Sequence, residues 1–219
     1  MNAVSDHALL MDRIYRWQRR FGIYDATRKY YLLGRDPLLG GLAPPPGGCV
    51  LEIGCGTGRN LVKAARLYPQ ARFNGIDISQ EMLMAAQAAI DGAGLNDRVH
   101  LARADAANFD PQSLFGKASY ERIFISYAVS MIPQWQRVME AAVAGLSPGG
   151  ELHIADFGDM QRLPRWFKSA MDTWLGWHHV TPRAELFEVS SQLAAIHGGT
   201  VRVQRLHRGF SWLATIRKA

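Results

Sequence analysis

Cysteine is scarce in this chain, and that scarcity sets the first limits. Only Cys49 and Cys55 occur among 219 residues, so a disulfide framework is not expected and a reducing compartment suits the protein better. Long apolar runs are missing as well. The first twenty residues carry Asp6, Asp12, Arg13, Arg16, Arg19 and Arg20, which argues against a signal peptide or a spanning helix there and leads us to expect a cytoplasmic protein. No internal repeat is visible. His178 and His179 are adjacent but have no partners at metal-ligand spacing, so no metal is expected.

What is present suffices for one sizeable core. Hydrophobic residues make up 48% of the chain, most simply one domain with a short appendage. Its organising stretch is Val50 to Leu61, V-L-E-I-G-C-G-T-G-R-N-L. Residues suited to a buried strand run into Gly54, Gly56 and Gly58 and then into a helical pattern, an arrangement that brings main-chain N–H groups close to a ligand. A dinucleotide fingerprint would put its third glycine at position 59. Arg59 stands there, which argues against a nicotinamide oxidoreductase.

With Glu52 two residues before Gly54, the pattern E-x-G-x-G-x-G resembles motif I of the Rossmann-like methyltransferases that use S-adenosylmethionine. That cofactor has no pyrophosphate. Its loop must admit a carboxylate, an ammonium and a sulfonium beside the main chain, which small residues allow, and the Glu52 carboxylate suits the cationic end. Further along, Arg72 to Ile78 reads as a second strand, Ser79 as the cap of a helix and Val99 to Ala102 as a third strand. Arg122 to Ser126 reads as a fourth and Glu151 to Asp156 as a fifth, entered through Ser-Pro-Gly-Gly at 147–150. Crossover helices are expected over Arg59 to Tyr68 and Gln134 to Leu146. Strands alternating with helices predict an open parallel sheet whose ligands lie beyond the carboxyl ends of the strands. The alternation in Val201 to Leu206 and Phe210 to Ile216 predicts a closing hairpin.

The resemblance implies a seven-stranded α/β methyltransferase sheet and assigns roles within it. Asp77, 23 residues after Gly54, holds the ribose, and Met82 packs on adenine. Asp105 accepts from the adenine amino group, with the Ala106 N–H facing the ring. Gly54, Cys55, Gly56, Gly58, Asn60, Ile78 and Ser126 complete the cofactor set, and residues 126–133, with Tyr127 and Met131, line the incoming nucleophile.

Ahead of this core, Leu10, Ile14, Trp17 and Phe21 recur at helical spacing between Ser5 and Phe21 with arginines on the other faces. Such a basic amphipathic helix either docks on the domain or lies on an anionic bilayer. Residues 24–36, Y-D-A-T-R-K-Y-Y-L-L-G-R-D, read as a lid over the cofactor or as a helical bridge. Pro37 and the run Ala43 to Gly48 read as the linker into the core. Residues 1–42 thus form a helical lid and substrate segment and residues 43–219 the core, with an aromatic insertion at about 157–181. There, Trp166, Phe167, Trp174, Trp177, His178 and His179 suit cation–π binding, a membrane interface or core packing.

Charge is uneven along the chain. Residues 1–36 hold seven Lys/Arg against four Asp/Glu, residues 37–156 nine against eleven, and residues 157–219 nine against four. Basic flanks attract anionic membranes or nucleic acid, and an acidic centre suits a cationic cofactor. Residues 11–36 followed by the glycine motif resemble the N-methyltransferase of betaine-lipid synthesis, which trimethylates diacylglycerylhomoserine. That resemblance implies an acceptor lipid at an anionic membrane surface, on its inner face, and the enzyme making diacylglycerylhomoserine as a partner. No nucleic acid is implied. Tyr24, Tyr31 and Arg35 become the catalytic candidates, and Arg28, Lys29 and Tyr30 the head-group binders. Phospholipid and quinone methyltransferases share Y-D and the glycine motif, so those acceptors stay open. A nucleic-acid methyltransferase and a non-enzymatic membrane-binding module are the remaining alternatives.

Overall fold

The structure is a computed structural model and describes residues 32–178 and 180–219. The expected helix at Ser5 to Phe21, and Tyr24, Arg28, Lys29, Tyr30, Tyr31 and His179, lie outside the described residues.

The first element is a short helix, α1 (Arg35–Gly41). It corrects the reading of Pro37 as linker. Pro37 falls in the first helical turn, where the missing N–H has no intrahelical acceptor anyway. Leu38 and Leu39 of that helix are buried. The chain then alternates: β1 (Cys49–Ile53), α2 (Arg59–Leu67), β2 (Arg72–Asp77), α3 (Gln80–Ala93), β3 (Val99–Arg103), α4 (Pro111–Phe115), β4 (Tyr120–Ser126), α5 (Trp135–Ala144) and β5 (Leu146–Phe157). Two further helices, α6 (Arg165–Trp177) and α7 (Leu186–Ile196), precede the closing strands β6 (Thr200–Leu206) and β7 (Ser211–Arg217).

The seven strands form one sheet in the order β3-β2-β1-β4-β5-β7-β6. The first five run parallel, and β7 pairs antiparallel with both β5 and β6. This is the α/β methyltransferase sheet expected from the motifs. Every residue of β1 is buried, as a central strand covered on both faces must be. Successive side chains point to opposite faces. Leu51 and Ile53 pack with Val138, Met139 and Val143 of α5 and Leu186 and Leu193 of α7. Val50 packs the other way, with Leu39, Leu61, Leu83 and Leu175 of α1, α2, α3 and α6.

Helix boundaries follow local chemistry. The Ser79 side chain accepts from the Met82 N–H at 3.2 Å and caps α3, and Gly94, with φ of +66°, closes it. The turn expected at 147–150 is a bulge inside β5: pairing with β4 jumps from Tyr120↔Leu146 to Arg122↔Glu151. A Cβ on Gly150 would stand 2.8 Å from the Ser147 carbonyl oxygen, so only glycine fits there. The helices α6 and α7 were not legible in the sequence. In α6 the inward stripe of Phe167, Met171, Trp174 and Leu175 has helical spacing, but Trp166 and Trp177 lie off that stripe and obscure it.

Candidate active site

Parallel register places the carboxyl ends of five strands side by side. Asp77 sits opposite Arg103, Ile76 opposite Ile53, Ile53 opposite Ile125, and Ser126 opposite Ala155. The glycine loop leaves β1 at this edge. The Gly54 and Cys55 N–H groups both donate to the Ile76 carbonyl, at 2.9 and 3.0 Å. All three glycines have positive φ: +73°, +53° and +72° at Gly54, Gly56 and Gly58. A Cβ on Gly54 would come within 2.8 Å of the Ala128 methyl, and one on Gly58 within 2.9 Å of the Ala86 methyl. At Gly56 a Cβ would meet nothing within 4 Å, so its main chain faces open space.

Four acidic groups lie at or just beyond the carboxyl ends of the parallel strands. Asp77 is held by the loop itself, its Oδ2 accepting from Gly56 N–H at 2.8 Å and its Oδ1 from Ser79 N–H at 2.9 Å. Glu52 is wholly buried on the α2 side of the sheet. Its Oε1 accepts from Asn60 Nδ2 at 2.7 Å, while its Oε2 has no partner among the described residues. Burial pushes the Glu52 carboxyl well up, the Asn60 hydrogen bond opposes that, the Asp77 charge adds to it and Arg35 counters it. Asp105 is half-buried and makes a local turn, accepting from Ala107 N–H at 3.0 Å. Asp156, fully buried, accepts from Ser130 and Phe157 N–H at 2.9 and 2.7 Å. Burial, offset by these hydrogen bonds, raises its pKa to about 6.

The loop after β4 is tied down from several directions. Tyr127, in the left-handed region at φ +55°, is buried, and its hydroxyl contacts the Ser211 hydroxyl and accepts from Gly34 N–H at 3.0 Å. Burial raises the phenol to about 12, so it keeps its proton at neutral pH. Thr181 N–H donates to the Ser130 carbonyl at 2.9 Å, and Arg183 donates to the carbonyls of Val129 and Ile132 at 3.2 and 2.9 Å. Sequence reasoning did not single out Arg183, and an isolated arginine after a proline gave no signal for this clamp. Met131 is half-buried in the same loop, and the Ser126 hydroxyl is buried without a partner among the described residues.

The other expected residues fall as follows. Met82 is wholly buried in the first turn of α3, Ile78 and Ala106 are half-buried, and the Cys55 thiol is buried and pushed up by desolvation. Arg35 opens α1 with its Nε 3.3 Å from Asp36 Oδ1, and its positive charge acts on both Glu52 and Tyr127. Among the described residues no cluster of His, Cys, Asp or Glu could hold a metal ion, and no helix is long and apolar enough to cross a membrane.

This sheet order, with β7 inserted antiparallel between β5 and β6 and a glycine loop after β1, defines a methyltransferase fold of the α/β class. Residues 50–150 match a methyltransferase domain. Along 90% of the chain it is 29% identical to a phosphatidylethanolamine N-methyltransferase of Cereibacter sphaeroides, of which 98% is covered. It is 26% identical over 58% of its length to a ubiquinone/menaquinone biosynthesis C-methyltransferase of the same species, spanning half of that protein. Among solved structures, the apo form of the S-adenosylmethionine-dependent methyltransferase SibL superposes with a TM-score of 0.71 at 19% identity, covering 90% of this chain and 57% of that one. Residues 50–150 thus carry a methyltransferase domain, and the chain has the fold of S-adenosylmethionine-dependent methyltransferases.

The residues present fit that cofactor. Buried oxygens of Glu52 and Ser126 without partners among the described residues stand at the ends of adjacent strands, where a cationic amino acid moiety would supply donors. The open main chain at Gly56 gives it close approach. When bound, S-adenosylmethionine supplies an electrophilic methyl group on a sulfonium.

Proposed function

We propose that the chain N-methylates the amine of a glycerolipid head group, with diacylglycerylhomoserine as acceptor and three methylations giving the betaine lipid. The observation that carries the lipid class is the extent of likeness to the phosphatidylethanolamine enzyme. The methyltransferase domain match ends at residue 150, whereas that likeness covers 90% of the chain and so takes in segments outside the methyl-donor domain. The quinone relative is matched over a much shorter stretch.

In this reading Glu52, with Gly54, Cys55, Gly56, Gly58 and Asn60, takes the amino acid end of the cofactor. Asp77 takes the ribose, Met82 and Ile78 flank adenine, and Asp105 and Ala106 meet its polar edge. A carboxylate oxygen accepts more than one hydrogen bond, so Asp77 can hold the loop and the ribose together. A homoserine head group carries a carboxylate as well as an amine. Arg35, whose charge reaches both Glu52 and Tyr127, favours it, with Arg28 and Lys29 contributing further donors. Tyr24 or Tyr31 orients the amine, Tyr30 joins the head-group binders, and Ser126, Tyr127 and Met131 wall its path.

The acceptor amine loses its proton to solvent, and its lone pair then attacks the methyl carbon in line with the breaking C–S bond. The electron pair of that bond goes to sulfur. Neither Tyr127 nor Asp156 is poised as a base: Tyr127 holds its proton and its hydroxyl contacts are taken, and Asp156 is turned into backbone N–H groups. Holding the amine in near-attack geometry is then the main contribution, which can lower a barrier by several kcal/mol, of the order of 7–11 at best. The phosphatidylethanolamine reading has the named relative in its favour.

The test incubates the protein with methyl-labelled cofactor and diacylglycerylhomoserine, phosphatidylethanolamine or a small water-soluble amine. Label in the homoserine lipid is the expected result. Label confined to phosphatidylethanolamine replaces the acceptor, and label in the small amine alone removes the lipid reading.

A further inference from the structure

Two large aromatic side chains stand almost free of the molecule: Trp166 is 73% exposed and Trp177 is 76% exposed. Both belong to α6 and are eleven residues apart. Eleven residues are close to three full helical turns, so the two indoles project on the same side, about 16 Å apart along the axis. Between them on that side lie Ser169, Ala170 and Thr173, all exposed. The opposite side, with Phe167, Met171, Trp174 and Leu175, packs into the core. The outer face therefore carries an indole at each end, and a helix lying flat on a surface would bring both to the same depth.

The charges around this face are mainly positive. Arg162, in the turn before the helix, and Arg165, its first residue, are exposed. Lys168 pairs with Asp172 at 2.9 Å in a contact open to solvent, and Asp159 lies nearby in sequence. The whole stretch from residue 157 onward holds nine Lys/Arg against four Asp/Glu. Indoles prefer the head-group level of a bilayer, where an apolar ring and a polar N–H are both accommodated, and neighbouring arginines are drawn to anionic phosphates.

The face is also linked to the active site. Rings contact one another in sequence from Trp166 to Phe167 at 5.8 Å, Phe167 to Phe210 at 6.3 Å, Phe210 to Phe157 at 5.9 Å and Phe157 to Tyr127 at 4.8 Å. Tyr127 follows the carboxyl end of β4. A surface engaged by Trp166 is thus joined by packed aromatic rings to the edge where the cofactor loop and the loop after β4 meet.

We propose that the outer face of α6 is the surface by which this enzyme lies on an anionic bilayer, Trp166 and Trp177 entering the head-group layer and Arg162 and Arg165 meeting lipid phosphates. This deepens the lipid reading above and rests on it for its purpose, but its test needs no methyl acceptor. The full chain is sedimented with vesicles of phosphatidylglycerol or of phosphatidylcholine. Wild type partitions onto phosphatidylglycerol at least tenfold better than onto phosphatidylcholine, with a blue shift of tryptophan emission. The double variant Trp166→Ala/Trp177→Ala loses at least tenfold in partitioning and most of the blue shift. Arg162→Glu/Arg165→Glu, exposed before and at the first residue of the helix, loses the preference for the anionic vesicle.

Unchanged binding of S-adenosylhomocysteine and unchanged melting certify that the variants are folded; where the tryptophan variant is not, the arginine variant decides alone. A folded tryptophan variant that sediments like wild type overturns the proposal. So does a wild-type dimer that this variant converts to monomer with vesicle binding unaltered, since the face then seats a second copy. Failure of every lipid to accept label would remove the acceptor reading and leave these partition ratios untouched.

Discussion

Asn60, in the first turn of α2, donates through its side-chain amide to the buried Glu52 carboxylate of β1 at 2.7 Å. The contact exists because Glu52 points to the face on which α2 packs, the face that also receives Val50. It satisfies one carboxylate oxygen, and the other has no partner among the described residues. Glu52→Gln removes a buried acid whose ionisation the fold resists. The variant is expected to melt no lower than wild type at neutral pH, while calorimetry shows at least tenfold weaker binding of S-adenosylhomocysteine. Asn60→Ala should lose about 1–3 kcal/mol of stability, the usual cost of stranding a buried polar group, read from urea denaturation.

Asp156 gives a pH signature of defined sign. Its carboxyl, ordinarily near 3.8, titrates at about 6 in the folded protein. Between these values the folded state holds the proton and the unfolded state has lost it. Stability from this group is therefore full below about pH 4 and falls as pH rises to 6. A displacement of about two units corresponds to about 3 kcal/mol. Wild type minus Asp156→Asn, followed by denaturation from pH 4 to 8, should show that decline and then a plateau. A flat difference across the range would place the raised titration elsewhere.

The three loop glycines separate conformational strain from contact. Gly54→Ala and Gly58→Ala add a Cβ that meets Ala128 or Ala86 at under 3 Å, on a backbone alanine rarely adopts. Each should cost about 1–3 kcal/mol. Gly56→Ala meets no neighbour and should cost only the left-handed penalty of about 1–2 kcal/mol. Yet it fills the open side of the loop, so it is expected to weaken cofactor binding more than its stability loss explains. Denaturation and calorimetry on the same three variants check the contrast.

Tyr127 fastens the chain ahead of α1 to the sheet, through Gly34 N–H and the Ser211 hydroxyl. Tyr127→Phe leaves that buried N–H unpaired and is expected to cost about 1–3 kcal/mol. Hydrogen exchange at the Gly34 amide should accelerate well beyond that of amides in β1. Equal protection in both proteins would mean that other contacts hold this strap.

Much of this arrangement was legible because glycine and acidic residues announce the strand ends. Gly54, Gly56 and Gly58 marked the loop, Asp77 closes β2, and Asp105 follows the end of the parallel strand β3 by two residues. The Ser79 cap and the closing hairpin were readable from local chemistry alone. Pro37 was misread since a proline in a first helical turn looks like one in a linker until Leu38 and Leu39 are seen to be buried. The clamp of Arg183 on the loop after β4 was invisible, being a contact across more than fifty residues to backbone carbonyls. No side-chain pattern encodes it. The same holds for Tyr127 and Gly34, ninety-three residues apart.

The position of β7 has a bearing on how the molecule is made. Because β7 lies between β5 and β6, β6 leaves the ribosome before the strand that must join it to the rest. Until β7 arrives, the flank of β5 is an open edge and β6 has nowhere to attach. The half of the sheet that carries the glycine loop can assemble earlier, during synthesis, whereas the other half closes only after Ser211–Arg217 is released. Nascent chains halted before that point should already protect the amides of β1 and β2 from exchange while leaving those of β6 exposed.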